Sequence, residues 1–398
     1  MQVLRGRNPA DGAGIEVSFE DGVIKDVRKV EHDEQGWISA GLIDLQVNGY
    51  GGEDVNADDV SAETVLRFTE KMLATGTTTF LPTVITSSEV KIAKALRAIA
   101  EARRQSSVAA AAIPCVHVEG PYISAMEGYR GAHPLDHVRK PSLEEFARWQ
   151  DVSGGLVGLI TLSPHSPEAA EYIAAVTRQG VVVALGHTNA SSEELRKAVD
   201  AGARLSTHLG NGTTAMLPRH TNVVWTQLAE DRLSATFIAD GQHIPAEALK
   251  AMVRAKGVER SILVSDAVSV AGKPPGVYET AVGGRVELHE SGRLSLAGTE
   301  YLAGAVLPLK DGVARVCAMT GVSLAQGLAM ATVNPGRFVG GRGVLEVGAR
   351  ADLIRFAVDE ATMKLEMVIV GGEVWDGASG INILDTPWSA KTVGPWQG

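Results

Sequence analysis

Two histidines and one glutamate, each at the end of a short apolar segment, could together bind a metal ion. His187 lies in "LGHT", His208 in "STHLGN" and Glu119 in "HVEGP". Two imidazoles and a carboxylate suit a divalent cation, and three protein ligands with one water are the usual composition of a catalytic zinc site. A buried network of histidine and carboxylate is the structural alternative. We expect one divalent ion here, with zinc favoured and Fe2+, Mn2+ or Co2+ also compatible with these donors.

An aspartate, Asp266, ends a further apolar segment, "LVSDAV", and is not needed as a third ligand. A carboxylate that faces a metal-activated water can accept the proton of that water and pass it to a leaving group. An aspartate that caps the following helix is the structural alternative. The sequence therefore predicts metal-assisted hydrolysis with Asp266 as the proton carrier.

The segment "AGLIDLQVNGYGG" carries Gln46 and Asn48 where many metal-dependent hydrolases carry two histidines in the pattern H-x-H. Neutral amides are poor ligands for zinc beside imidazole and carboxylate. We therefore expect the second metal position that H-x-H would form to be vacant, so that the site holds a single ion.

The middle of the chain contains the elements that must bring these residues together. Short β-branched runs alternate with stretches of helical periodicity such as "SAETVLRFTEKMLATG" and "SSEELRKAVDAG", in which serine is a plausible N-cap. The eight candidate strands are "LIDLQVN", "TTTFLPTV", "CVHVEG", "LVGLITLS", "VVVALGHT", "LSTHLGN", "ATFIADG" and "ILVSDA". Eight such βα units favour an α/β fold of the (β/α)8 TIM barrel type over an open sheet.

Nearly every predicted strand ends on a polar or ionisable residue. These residues are Asn48, Thr83, Glu119, Ser163, His187, His208, Asp240 and Asp266. In a (β/α)8 barrel the C-terminal ends of all strands surround one mouth, and active sites lie there. The sequence therefore predicts that the metal ligands and Asp266 meet at that mouth.

Both ends of the chain have the alternating apolar and polar pattern of strands. "GIEVSF" and "GVIKDV" lie near the N-terminus, and "ADLIRFAVDEATMKLEMVIVGGEVW" lies near the C-terminus. We expect a small β-sandwich domain built from residues 1–40 and 341–398, with the metal-dependent barrel at residues 41–340.

The composition narrows the partners and the location. The net charge of -10 and the lack of a basic run argue against nucleic-acid binding, and no apolar run approaches the roughly 20 residues of a membrane span. The N-terminus lacks the apolar core of a signal peptide. Cys115 and Cys317 lie in apolar segments without metal or redox spacing, and we expect buried thiols. These features indicate a cytoplasmic protein.

The motifs taken together resemble those of the amidohydrolase superfamily, and within it the N-acetylglucosamine-6-phosphate deacetylases. The matching segments run in family order along nearly the whole chain: "GLIDLQVNGYGG", "GTTTFLPT", "HVEGPYIS", "GAHPLDHVR", "GHTNAS", "THLGNG", "IADGQHI", "LVSDAV", "LAGA" and "ATVNPGRFVG". The resemblance implies hydrolysis of an N-acetyl amino-sugar phosphate to acetate and the free amine.

The resemblance also implies roles for individual residues. Glu119, His187 and His208 match the ligands of the principal metal. Asp266 matches the acid/base residue, and His133, in "RGAHP", matches the histidine that polarises the amide carbonyl. A histidine in this loop could donate to the developing oxyanion.

Four further positions match the substrate site of the family. His243 matches the substrate-binding histidine, and Asn211 with Gly212 matches the Asn-Ala pair that binds phosphate. Arg219 matches an arginine that reaches the phosphate from a partner subunit. The resemblance thus implies a homodimer that binds a small amino sugar.

The sequence departs from the family around the phosphate loop. The usual T-H-L-(F/Y)-N-A-M is replaced by "THLGNGTTAM", so that Gly210 removes an aromatic side chain and Gly212 replaces alanine. His165 stands where the family usually has glutamate. These changes leave open a deacetylase or amidohydrolase for a different N-acetylated sugar or small amide.

Two other classes of barrel protein fit the sequence less well. Superfamily branches that open cyclic amides use a modified lysine at the fourth strand, and "GLVGLITLSPH" contains none. A catalytically inactive sugar-binding barrel would require a broken metal or acid/base set, whereas all four residues are present.

Overall fold

A computed structural model of the protein describes residues 1–281 and 283–375. The strands nearest the N-terminus lie outside the central barrel. The first four strands are β1 (Gln2–Arg7), β2 (Gly14–Glu20), β3 (Val23–Lys29) and β4 (Trp37–Ala40). Leu4, Val17 and Phe19 from these strands are buried in a core of their own. The alternating pattern of the N-terminus therefore does form strands.

The central part of the chain alternates strands and helices. In chain order the elements are β5 (Leu42–Val47), β6 (Gly49–Tyr50), β7 (Glu53–Asp54), α1 (Ala62–Ala74), β8 (Thr77–Ile85), α2 (Glu89–Gln105), α3 (Ser107–Ala112), β9 (Val116–Glu119), α4 (Leu143–Ser153), β10 (Val157–Leu162), α5 (Ala169–Thr177), β11 (Val182–Leu185), α6 (Ser192–Asp200), β12 (Leu205–Ser206), α7 (Val223–Ala229), β13 (Ser234–Phe237), α8 (Ala246–Lys256), β14 (Ser261–Leu263), β15 (Gly276–Thr280), β16 (Gly284–Leu288), β17 (Leu294–Leu296), α9 (Leu309–Thr320), α10 (Leu324–Ala329) and α11 (Val333–Gly336). Two short 3-10 helices, Leu135–His137 and Val258–Arg260, lie between them. The predicted N-caps are confirmed: Ser61 and Ser191 accept from the backbone N–H three residues on and form capping boxes.

Eight of these strands form one parallel sheet in the order β5-β8-β9-β10-β11-β12-β13-β14. Because neighbours in space are also neighbours in the chain, the sheet is a series of βα units, and the predicted (β/α)8 fold is confirmed. Residues of β8 and β10 are buried on both faces. One set of strand residues packs in a small core with Ile43, Leu81 and Leu159, and the other packs against the helices.

The two end strands, β5 and β14, meet through side chains and flanking residues. The N–H of Asp266 donates to the carbonyl of Gln46 at 2.9 Å, and the N–H of Ser265 donates to the Asp44 carboxylate at 3.2 and 3.3 Å. At the opposite end, the N–H groups of Ile43 and Leu263 donate to carbonyls of the segment that precedes α11. These bonds close the barrel and place Asp266 beside Gln46.

An antiparallel sheet of β15, β16 and β17 follows the barrel strand β14. This insertion was not predicted, because its short strands lie within the range assigned to the barrel. Val286 and Leu294 of the insertion pack against Val268. A bridge between Ala267 and Ala305 then brings the chain back to the barrel mouth.

The C-terminal strands complete the first sheet. They are β18 (Leu353–Asp359), β19 (Thr362–Val370) and β20 (Glu373–Val374). The order of the seven-stranded sheet is β20-β19-β18-β4-β1-β2-β3, with β18 antiparallel to β4. Strands from both ends of the chain therefore join in one small β domain outside the barrel, as predicted. The domain boundaries at residues 40 and 340 stay a prediction, and 376–398 of the expected C-terminal part lie outside the described residues.

Two further expectations concern the thiols and membrane spans. Cys115 is buried, but Cys317 is partly exposed, so the expectation of two buried thiols is wrong for Cys317. Cys317 lies near the C-terminal end of α9, where its sulfur contacts the carbonyl of Ser323 just before α10. Among the described residues, no helix is long and apolar enough to span a membrane.

Candidate active site

Three of the predicted site residues have left-handed backbone just after their strands. The φ angles of His187, His208 and Asp266 are 48°, 29° and 47°. The strands β11, β12 and β14 end two or three residues earlier than the sequence analysis expected. Non-glycine residues rarely adopt positive φ, and such backbone concentrates at functional sites. At these points the chain leaves the hydrogen-bonded strand, and the side chains of the three residues point into the mouth of the barrel.

The three predicted metal ligands converge. Oε1 of Glu119 lies 3.0 Å from Nε2 of His208 and 3.4 Å from Nε2 of His187, and all three side chains are buried. Donor atoms that bind one tetrahedral zinc at 2.0–2.2 Å are about 3.3 Å apart, so these spacings fit a shared ion. The donors present are therefore suited to a divalent cation.

The outer nitrogen of His187 is held by the backbone. Nδ1 of His187 lies 2.8 Å from the carbonyl of Tyr129, so it donates its proton there and leaves Nε2 with a lone pair toward Glu119. Nδ1 of His208 is buried without a hydrogen-bond partner among the residues that the structure describes. Of the two predicted ligands, His187 thus has the supporting contact that metal-binding histidines usually have.

His133 lies against the same cluster. Its Nε2 is 3.9 Å from Oε2 of Glu119, and possible ligand atoms of Glu119, His133 and His187 all lie within 4.8 Å of one another. Nδ1 of His133 is 2.8 Å from Oγ1 of Thr86. Burial lowers the pKa of His133 to about 3, so the ring is neutral. If the Thr86 hydroxyl donates to Nδ1, Nε2 carries the proton and can donate to a carbonyl. The opposite tautomer would make His133 a fourth protein ligand.

The carboxylates and imidazoles of the cluster stabilise one another electrostatically. Although burial opposes ionisation, hydrogen bonds from His187 and His208 hold the pKa of Glu119 well below its usual range. For His208, burial also opposes the charge, and the bond to Glu119 raises its pKa. The cluster therefore keeps Glu119 ionised, as a ligand must be.

Asp266 is bound on one oxygen only. Its Oδ1 accepts from Nε2 of Gln46 at 3.1 Å and from Nδ2 of Asn48 at 2.9 Å. Nε2 of Gln46 also donates to Oε1 of Glu119 at 2.9 Å. Burial, followed by the nearby charge of Glu119, raises the pKa of Asp266 to about 6, which suits a group that both accepts and returns a proton.

A cavity of about 310 Å3 opens at the barrel mouth. The predicted site residues that line it are Asn48, Glu119, His133, His187, His208, Asn211, Gly212, His243 and Asp266. Gln46 is buried behind the two carboxylates to which it donates. The structure therefore brings nearly all predicted residues to one small-molecule site.

The candidate substrate residues are held by local contacts. Nδ1 of His243 is 2.7 Å from Oδ2 of Asp240, which fixes the ring with Nε2 available for a ligand. Asn211 bonds the carbonyl of His208 through its backbone N–H. Gly212 has a φ of 58°, and a Cβ at this position would lie 2.9 Å from Nδ1 of His187. The glycine lets the loop pack directly on a metal ligand.

One predicted site residue, Arg219, and one departure from the family pattern, His165, lie away from the cavity. Arg219 is exposed and does not line it, and its carbonyl accepts from the indole of Trp225. His165 bonds Ser163 and is also absent from the cavity wall. Within the described residues, Arg219 therefore does not join the site of its own chain.

Some contributors to the site escaped the sequence analysis. The carbonyl of Tyr129 and the hydroxyl of Thr86, which orient two histidines, were not among the predicted site residues. A backbone carbonyl carries no sequence signal. For Thr86, the only available signal was a hydroxyl just beyond an apolar strand.

A TIM barrel with histidine, glutamate and aspartate at the C-terminal mouth defines a class of metal-site hydrolases. The sequence profile of the amidohydrolase family matches residues 37–375, so the chain belongs to this family. It is a hydrolase that acts on an amide C–N bond.

The most similar proteins found are sugar-phosphate deacetylases. The chain is 32% identical over 337 residues to the N-acetylglucosamine-6-phosphate deacetylase of Bacillus subtilis, with 83% of each chain covered. It is 34% identical over 352 residues to the N-acetylgalactosamine-6-phosphate deacetylase of Shewanella sp. (strain ANA-3), with 85% of each covered. A mutant N-acetylglucosamine-6-phosphate deacetylase of Mycobacterium smegmatis, solved with N-acetyl-D-glucosamine-6-phosphate, superposes with a TM-score of 0.83 at 25% identity, covering 94% of this chain and 99% of that one.

Proposed function

We propose that this protein deacetylates N-acetylglucosamine 6-phosphate, with glucosamine 6-phosphate and acetate as products. The observation that carries the proposal is the convergence of Glu119, His187, His208 and Asp266 on one cavity of about 310 Å3. Relatives over most of the chain have names that specify this reaction, which supports the choice of substrate.

A single divalent metal, with zinc as the first candidate, belongs to the proposal. Glu119, His187 and His208 would hold it, because their donor atoms face one another at ligand spacing. When bound, such an ion lowers the pKa of a water ligand toward 7 and polarises a carbonyl oxygen.

The side chains around the ligands supply the proton transfers. Asp266 offers Oδ2 to the attacking water, since Oδ1 is already bound by Gln46 and Asn48. After accepting the proton, Asp266 passes it to the departing amine. With Thr86 donating to Nδ1, His133 directs an N–H toward the oxygen of the acetamide as negative charge develops there.

The remaining cavity residues are proposed to bind the sugar phosphate. His243 presents Nε2 to a hydroxyl or phosphate oxygen, and Asn211 with Gly212 forms a wall rich in donors next to His187. Arg219 is exposed, so we propose that it completes the site of a second copy in a symmetric homodimer.

A different N-acetylated amino sugar is the second candidate. The relative named for N-acetylgalactosamine 6-phosphate is as similar as those named for the glucosamine epimer. Gly210 and Gly212 also change the loop that would face the phosphate. These differences bear on which sugar or phosphate group is bound. They leave the proposed chemistry at the acetamide unchanged.

Acetate release from a panel of substrates tests the proposal. The panel holds N-acetylglucosamine, N-acetylgalactosamine and N-acetylmannosamine, each with and without the 6-phosphate. We expect the highest kcat/KM on N-acetylglucosamine 6-phosphate, one metal ion per chain, and loss of activity after chelation. A higher value on another sugar selects the second candidate. Tight binding of a sugar without acetate release from any member of the panel would refute the proposed deacetylase activity.

A cytoplasmic location is also proposed. Cys115 and Cys317 are free thiols in the structure, as expected in a reducing compartment. Cell fractionation checks this, and recovery of the native protein outside the cytoplasm would contradict it.

A further inference from the structure

The amide groups of Gln46 and Asn48 occupy the space beside two carboxylates that are both needed for hydrolysis. One nitrogen, Nε2 of Gln46, donates to Oε1 of Glu119 at 2.9 Å and to Oδ1 of Asp266 at 3.1 Å. An amide nitrogen has two protons, so each carboxylate receives one. Gln46 therefore bridges the metal-ligand carboxylate and the acid/base carboxylate.

Such a bridge reduces the electrostatic repulsion between the two carboxylates. Two carboxylates close together in a buried site disfavour each other's ionised form, and a cation between them would remove that repulsion. Partial positive charge on the amide N–H groups acts in the same direction without a second ion. The two amide protons of Gln46 thus offset the negative charge of Glu119 and Asp266 through direct hydrogen bonds.

Asn48 adds a second constraint on Asp266. Its Nδ2 donates to Oδ1 of Asp266 at 2.9 Å, and its own Oδ1 is buried without a hydrogen-bond donor among the described residues. An unsatisfied buried acceptor is destabilising, so this placement of the amide is poor for stability alone. The opposite amide orientation would bring Oδ1 against the Asp266 carboxylate.

The backbone reinforces this arrangement. The N–H of Asp266 donates to the carbonyl of Gln46, and the N–H of Asn48 donates to the carbonyl of Ala267. The two amide side chains and Asp266 are therefore linked through both side-chain and backbone hydrogen bonds. Among the described residues, none donates a hydrogen bond to Oδ2 of Asp266, whose side chain lines the cavity.

We propose that Gln46 and Asn48 are positioning residues that replace a bridging cation: they hold the Glu119 and Asp266 carboxylates apart and fix Asp266 with Oδ2 toward the attacking water. This inference rests on the proposed hydrolytic function and deepens it. It assigns a positioning role to Gln46 and Asn48, which in the sequence stand only in place of the two histidines of an H-x-H metal motif.

The kinetic test uses substitutions of similar size that remove the donors, Gln46→Met and Asn48→Leu. We expect kcat to fall about 10- to 100-fold, as for other residues that orient a metal site, while KM stays within about threefold and metal content stays at one ion per chain. Asn334→Leu is the matched control, because Asn334 is also buried and donates from Nδ2 to Val258 and Ser261 at the far end of β14. The control should lose melting temperature but keep kcat. Unchanged kcat in the two test variants, or an equal loss of kcat in the control, would overturn the proposal.

A metal titration provides a readout that does not depend on the substrate. Gln46→Glu replaces the two donors by a third carboxylate, and we expect calorimetric titration with Zn2+ to show two ions per chain instead of one. A Gln46→Glu protein that keeps one ion and a wild-type kcat would contradict the bridging role. If the wild type hydrolyses no N-acetylated sugar, the proposed function fails, whereas the titration still decides whether Gln46 replaces a cation.

Discussion

Three side chains of the site lie on backbone that is unfavourable for residues other than glycine. His187, His208 and Asp266 have φ angles of 48°, 29° and 47°, a conformation that costs of order 1–3 kcal/mol each. The surrounding strands and loops hold them there, and each faces the same cavity. The strain is therefore concentrated on residues to which we assign the proposed chemistry.

Asp266→Asn tests the proton carrier. The amide cannot accept a proton from the attacking water, so we expect kcat to fall by several orders of magnitude, about 10^3-fold or more, with fold and metal content retained. Steady-state kinetics, circular dichroism and metal analysis measure these three properties. Turnover near that of the wild type would refute the role of Asp266.

Thr86→Val tests the orientation of His133. The substitution keeps the shape of the side chain and removes the hydroxyl that lies 2.8 Å from Nδ1 of His133. Without this partner the ring can adopt the wrong tautomer, and we expect kcat to fall about 10- to 100-fold with little change in KM. Thr86→Ser, which keeps the hydroxyl, should retain most of the activity. Equal losses in both variants would point to packing instead.

At the scale of elements, the junction between β5 and β14 decides where Asp266 lies. The carboxylate of Asp44, fully buried on β5, accepts from the N–H groups of Gln46 and Ser265. Burial raises the pKa of Asp44 to about 7, although these bonds oppose the shift. The barrel is thus closed by a buried acidic group.

This junction predicts a pH dependence of stability. Since the pKa of Asp44 is near 7 in the folded chain and about 3.9 in the unfolded chain, the folded state binds the proton more tightly. Its contribution is fully present below about pH 4 and is lost as the pH rises through 7, by up to about 4 kcal/mol. Denaturant unfolding of the wild type and Asp44→Asn across this range gives the difference. A difference in unfolding free energy that does not vary with pH would contradict the raised pKa.

At the scale of the whole molecule, the proposed role of Arg219 involves a second subunit. Arg219 is exposed in its own chain, while the loop that carries it borders the cavity through Asn211 and Gly212. We propose that its guanidinium reaches the phosphate of a second copy. Under this proposal, a single chain lacks part of its own site.

Mixing two inactive variants tests the shared site. In a dimer of Arg219→Ala with Asp266→Asn, one site combines an intact Asp266 with the Arg219 of the other subunit. We expect up to about half of the wild-type activity per mixed dimer, because the second site lacks both groups. Acetate release after mixing and subunit exchange measures this. No recovery, in a sample shown to contain mixed dimers, would exclude sharing.

Much of the architecture follows from local pattern. Serine N-caps, β-branched runs and polar residues behind them sufficed to predict the barrel and the group around Glu119, His187 and His208. The insertion of β15–β17 was missed because its strands are short and resemble loop sequence within a barrel. The strand ends were placed too late, since a left-handed turn has no clear signature unless glycine supplies it.

The sequence by itself determined the reaction class, because the ligand types, the acid/base aspartate and their order along the strands are properties of the chain. Only the tertiary structure decided how Gln46 and Asn48 contribute. The two lie more than 200 residues from Asp266 in sequence, and their hydrogen bonds to it exist only because β5 and β14 meet where the barrel closes. The folded chain likewise left Arg219 outside the cavity, since that depends on where a loop lies and not on the residues it contains.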